Sequence, residues 1–254
     1  MLRPLSVGEI LDTSFTLYRR HFGALATVAV VCTGVPLVLR LFLEAGGGLF
    51  TNVSFSLLYL LSLVVLNLVA TGATVFIVSE SYLGRPLSAR EALGRATPYM
   101  GRILVSSLLM ALVVGLGFLL LIVPGVMLGV GLALAIPAVV LEPGTSARGA
   151  LSRSWELTRG SRWRIFGLGV TLLVLLYVPL AAITGLFALA MPQGPGAVFG
   201  PASVATVVAL AIGGLVQMFI YPLFYCVLTV TYYDLRVRKE GFDLELLAST
   251  LQTA

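Results

Sequence analysis

The stretch Ile165–Tyr233 holds 69 residues without one Asp, Glu, Lys or Arg. A single helix of that length would run about 100 Å, several times the roughly 30 Å hydrocarbon core of a bilayer. The chain must cross, turn and cross back. The turn is legible at Pro192–Ser203, PQGPGAVFGPAS, which is too rich in Pro and Gly to be helical. A fifth span therefore falls at Ile165–Met191, with Pro179 inside it, and a sixth at Val204–Tyr233, with Pro222 inside it. Only 11% of the residues are charged, where soluble domains carry about a quarter, so the chain reads as an integral membrane protein.

The same reasoning covers the rest. Ile103–Leu141 is 39 residues without a charge. That is about 58 Å of helix, or two crossings. Pro124-Gly125 near its middle is the expected turn, giving a tight hairpin of Ile103–Val123 and Val126–Leu141, the second arm short and containing Pro137. Phe22–Leu39 is a first span of 18 uncharged residues with Pro36 near its far end. Arg40 and Glu44 follow at a spacing that lets them pair or snorkel to the outer interface. Ala45–Ser79 supplies the second span, roughly Phe55–Val78, after a break at Gly46–Gly48.

Charge sets the orientation. The sixteen basic residues are fifteen Arg and Lys239. All but Arg40 fall at the N-terminus, after the second and fourth spans, or at the C-terminus. The excess of Arg and Lys on cytoplasmic loops predicts a multi-pass membrane protein of six spans with both termini cytoplasmic. It also accounts for the net charge of +5 without a nucleic-acid partner. Cys32 and Cys226 lie inside apolar runs and read as small buried hydrophobes. The N-terminus lacks the h-region of a cleavable signal.

Three short amphipathic helices are expected on the basic side. Ser6 and Glu9 make a capping box for a helix reaching Phe22, and Ser88 and Glu91 repeat it. The third runs from Ser146 to Gly160. Their apolar faces and flanking arginines suit helices lying in the membrane interface. Ser88-Ala89-Arg90, Ala92-Leu93 and Arg95 recur 58 residues on as Ser146-Ala147-Arg148, Ala150-Leu151 and Arg153. The fold class is thus all-α and polytopic: one membrane domain of six transmembrane helices and three interfacial helices. It divides into units 6–83, 88–141 and 146–233, each a surface helix and a hairpin, with a cytoplasmic amphipathic tail at 234–254. A repeat and a shared Ala/Arg-rich composition both account for the matched positions.

Mid-membrane chemistry is sparse. Glu44, Glu80, Glu142 and Asp234 all fall at span ends, and His21 is the single histidine, at the inner interface. One His and two separated Cys build no zinc site unaided. No GxSxG, HExxH or P-loop is present. No catalytic residue, metal or cofactor is implied. Asn67 and Gln217 are amides within spans. They read as helix-to-helix hydrogen bonds, or alternatively as the lining of a substrate cavity. The glycines of the central hairpin, Gly125-x-x-x-Gly129 among them, suit close helix approach.

Leu151–Arg164, LSRSWELTRGSRWR, joins four arginines to both tryptophans of the chain. With Arg148 it gives the candidate lipid- or partner-binding surface: Arg148, Arg153, Trp155, Arg159, Arg162, Trp163 and Arg164. Anionic headgroups are the expected partner, with a protein or a second copy of the chain as further candidates. Three stretches, GEILDTSFTLYRRHF (Gly8–Phe22), LSRSWELTRGSRWRIFG (Leu151–Gly167) and YYDLRVRKEGFDLELL (Tyr232–Leu247), resemble a bacterial family. It is the glycerophosphoryl diester phosphodiesterase membrane-domain-like group, with related uncharacterised inner-membrane proteins of the YciC type. Some relatives of that group carry a soluble phosphodiesterase barrel, which this sequence lacks, so the resemblance implies a membrane part and no catalytic residues. The expected function is non-enzymatic engagement of lipid or a partner. The alternative is a transporter or lipid-translocating protein with a cavity between the hairpins.

Overall fold

The computed structural model describes residues 3–45, 52–190 and 204–242. The expected linker Pro192–Ser203, the break at Gly46–Gly48 and the tail beyond Phe242 lie outside the described residues. The described residues form ten α-helices: α1 Val7–Arg20, α2 Phe22–Ala45, α3 Val53–Tyr82, α4 Ala89–Ala96, α5 Met100–Leu120, α6 Ile122–Leu132, α7 Ala135–Leu141, α8 Ala147–Thr158, α9 Arg162–Ala190 and α10 Val204–Glu240. Thr97–Tyr99 is one 3₁₀ turn joining α4 to α5. No strand occurs among the described residues. Six helical segments are long and apolar enough to cross a membrane.

Local chemistry starts the short helices where the sequence places them. Ser6 and Ser88 each cap their helix, with Glu9 and Glu91 reaching back to complete the capping boxes. Ser146 caps α8 by accepting from the Gly149 amide at 3.1 Å, with no acidic partner. Gly84 and Gly144 take φ of +79° and +78°, left-handed backbone that lets the chain reverse before α4 and α8.

The central hairpin turns earlier than its Pro-Gly pair suggests. The helix breaks at Leu121, whose backbone is extended, and Pro124 sits in the first turn of α6. Proline has no amide hydrogen to lose there and its fixed φ suits a helix start, so it opens the second arm. Gly125 packs against α5: a Cβ on Gly117 would come within 3.0 Å of its Cα. The return arm breaks again after Leu132, and Pro137 lies in the first turn of α7. Pro36 falls within α2. These prolines sit inside or at the start of helices.

Three helices, α3, α9 and α10, are longer than a bilayer requires. α3 has 30 residues, about 45 Å, and α10 has 37, about 55 Å. Short helices pack along the basic-end turns of α3 and α10. α1 runs beside α10, from Leu5 at Asp234 to Tyr18, whose hydroxyl donates to the Phe219 carbonyl at 3.0 Å. α4 runs beside the last turns of α3, with Ala96 so close that a Cβ on Gly72 would meet its Cβ at 3.0 Å. α8 packs on the α6–α7 break. Each short helix therefore lies against the end of the returning helix before it, and α1 against α10 closes the circuit. The core sits inside this base: Ala135–Val140 of α7 are buried throughout, with Val75, Ile103, Leu157 and Tyr232 around them. Leucines of the α5–α6 turn face outward, as apolar surface does in lipid; Leu119 is 83% exposed.

Candidate functional site

The basic end is built around the last turns of α10. Asp234 is fully buried, which a lone carboxylate would not tolerate. It accepts from the Leu5 amide at 2.7 Å, from Arg164 at 2.7 Å and from Arg238 one turn on at 3.1 Å. Both arginines also donate to the Leu5 carbonyl. One carboxylate thus binds the N-terminal segment, the start of α9 and the end of α10 together.

A second cluster lies beside it. Arg153 on α8 bridges Glu142 at 2.7 Å and Glu240 at 2.5 Å. Tyr232 donates to Glu142 at 2.7 Å, and Arg236 pairs with Glu240 at 3.0 Å while lying over the Phe242 ring. The bond from Glu240, followed by that from Glu142, holds the Arg153 guanidinium above its ordinary pKa. Lys239 donates to the Glu156 and Arg159 carbonyls, a cation placed where the C-terminal carbonyls of α8 lack partners. On α8 itself, Ser154 donates to the Gly131 carbonyl at 2.9 Å and accepts from the Leu134 amide at 3.1 Å, meeting two backbone groups freed by the α6–α7 break.

The seven residues expected to form one binding surface divide into two groups. Arg153 and Arg164 are half-buried and committed to the ion pairs above. Trp155 covers Gly131, where a Cβ would lie 2.5 Å from the ring, and Arg162 stacks on the indole at 3.7 Å. Arg148 and Arg159 are exposed, and Trp163 is 83% exposed. A basic, aromatic surface remains, narrower than the sequence suggests. Burial, then the Arg20 charge, push the His21 imidazole below its ordinary pKa, so it adds no cation at neutral pH.

Asn67 and Gln217 line one cleft of about 450 Å³ between α2, α3 and α10. Asn67 accepts from Tyr221 at 3.0 Å, and Tyr221 also meets Thr71 at 2.9 Å and Tyr225 at 3.3 Å. Among the described residues no group of three His, Cys, Asp or Glu could hold a metal ion. The sequence places Asp234 only at a span end and gives Glu240 no role, yet both organise the basic end. Their signal was present: Asp234 with Arg238 and Arg236 with Glu240 are helical neighbours at i and i+4 within the motif at Tyr232–Leu247.

These features define an all-helical membrane protein with six candidate spans, tied at its basic end by buried charge. The chain belongs to the family described as a domain of unknown function (DUF7847), whose model matches residues 89–235, from α4 to the buried aspartate. It is similar to a UPF0259 membrane protein of Pectobacterium carotovorum subsp. carotovorum, at 33% identity over 95 residues, 37% of this chain. The match spans 38% of that relative's length. No solved structure matches the chain.

Proposed function

We propose that the chain is a non-enzymatic protein of the bacterial inner membrane, with cytoplasmic termini, that engages anionic lipid headgroups through the exposed part of the α8–α9 connection. The supporting observation is Trp163, 83% exposed at the first turn of α9, with Arg162 beside it, Arg159 exposed just past the end of α8 and Arg148 exposed at its start. An exposed indole and exposed arginines between the start of α8 and the start of α9 suit a headgroup layer, where each basic residue near an anionic surface contributes about 1 kcal/mol. In this reading α1, α4 and α8 sit at the cytoplasmic interface, cladding the helix ends. The resemblance to phosphodiesterase membrane domains agrees with a lipid-facing role and brings no catalytic step. A second reading, a transporter or lipid-translocating protein, is favoured by the cleft that Asn67 and Gln217 line.

The test uses the two tryptophans as reporters in vesicles carrying brominated phosphatidylglycerol or brominated phosphatidylcholine. The anionic lipid quenches the wild type more strongly, and an Arg148→Gln/Arg159→Gln variant loses that preference. Equal quenching of the wild type by both lipids removes the reading. Sidedness is checked by thiol labelling of sealed cells carrying Asn52→Cys or Ser88→Cys, since Cys32 and Cys226 are buried. Labelling of Ser88→Cys from outside reverses the orientation.

A further inference from the structure

The cleft between α2, α3 and α10 has a chemistry of its own. Its wall is mostly apolar, with Leu37, Leu63, Leu210 and Met218 contributing. Arg40 lies at one end, 6.0 Å from the Tyr59 ring, and carries the one cation of the lining. Glu44 takes one side of that guanidinium at 3.2 Å and leaves it other donors, since Arg has five N–H groups. Asn67 lies two turns from Tyr59 on α3, about 12 Å deeper by helical rise. Gln217 enters the cleft from α10 with its amide exposed there. An amide offers both a donor and an acceptor to a polar group that enters the cleft. A volume of about 450 Å³ lies within the range of ligand cavities.

An arginine at one end, an amide within reach and an apolar wall between helices describe a ligand with one anionic head and one chain. We infer that this cleft binds a single-chain anionic amphiphile, its head at Arg40 and its chain along Leu37, Leu63 and Met218, with Gln217 placed to meet the glycerol or ester of a ligand that carries one. A fatty-acid carboxylate and a lysophospholipid phosphate share this chemistry. The inference is independent of the lipid surface on α8 and α9, which involves none of these residues.

Native mass spectrometry of the delipidated protein in nonionic detergent tests it. The probes are oleate, oleoyl lysophosphatidate, lysophosphatidylcholine and the neutral mono-oleoylglycerol. One copy of an anionic probe binds per chain, about tenfold more tightly than the neutral ester, as a charge-assisted bond to arginine implies. The tighter of oleate and lysophosphatidate distinguishes carboxylate from phosphate. Arg40→Gln with Glu44→Gln, which leaves no orphan carboxylate, removes the preference. Gly213→Leu blocks the cleft, because a Cβ there meets nothing within 4 Å and the longer side chain enters the open space. Equal affinity of the wild type for anionic and neutral probes overturns the inference without recourse to any variant. So does retained binding in a folded Gly213→Leu protein.

Discussion

The two ends of the bundle are held by different physics. At the basic end, Asp234, Glu142 and Glu240 draw arginines from α8, α9 and α10 into contacts of 2.5 to 3.1 Å. Around the cleft, α2, α3 and α10 meet through neutral hydroxyls and amides, with Arg40–Glu44 the one ion pair there among the described residues. The difference follows from solvent. Helix ends that stand clear of the hydrocarbon can gather charge, and burial within protein then makes each pair strict in geometry. Inside the hydrocarbon charge is expensive, and neutral bonds between helices are worth only about 0.6 kcal/mol each. A charge-tied base and a neutral cleft result from one chain.

The largest effect expected is at the base. Asp234→Ala removes the shared acceptor and leaves Arg164, Arg238 and the Leu5 amide facing each other. Removing one partner of a buried pair costs about 3–5 kcal/mol, and the arginines' partial exposure places this case toward the lower figure. Thermal unfolding in detergent reads it, as does the yield of folded protein. Asp234→Asn should fall between, because an amide oxygen still accepts from Leu5 but carries no charge. If Asp234→Ala melts with the wild type, the base is not held as described.

The contrast between the ends also marks what the sequence could convey. Spans are legible because a membrane forbids charge over long runs, and Ile165–Tyr233 or Ile103–Leu141 admits few other interpretations. Serine caps are equally local, and Ser6, Ser88 and Ser146 begin their helices as read. The turn of the central hairpin was misplaced because Pro124 both ends and begins helices, and the sequence does not say which. Arg164 shows the harder limit. Its carboxylate partner is 70 residues away, so nothing near it distinguishes an arginine facing lipid from one clamped to Asp234. Arg153 is the same case, with Glu240 arriving from the far end of the chain. Local patterns reveal where cations are, and only the fold reveals which are already engaged.

A smaller effect is expected in the cleft. Tyr221→Phe removes the hydroxyl that links Asn67, Thr71 and Tyr225. A loss of about 0.6 kcal/mol, up to roughly 1.7, is the scale for such bonds in a membrane bundle. Thermal unfolding of the variant beside Asp234→Ala measures the two ends on one scale. A Tyr221→Phe loss equal to that of Asp234→Ala would erase the distinction between them.

The smallest effect tests where the base stops. Glu9 lies at its exposed edge, and its carboxylate is held below the ordinary value of 4.5 by the Ser6 amide, then the Ser6 hydroxyl and Arg3. A depressed carboxylate contributes stability that is complete above its unfolded pKa and lost as pH falls through its folded one. The capping box of α1 should therefore hold at neutral pH and open in acid below that ordinary value. Glu9→Gln keeps the shape and removes the titration. The difference in melting temperature between wild type and Glu9→Gln should be small at pH 7 and should close as the pH drops below about 4.5. A gap that stays constant across that range would mean the Glu9 charge plays no part in the cap. A gap as wide as that of Asp234→Ala would mean the ion-paired base extends further along α1 than its buried residues indicate.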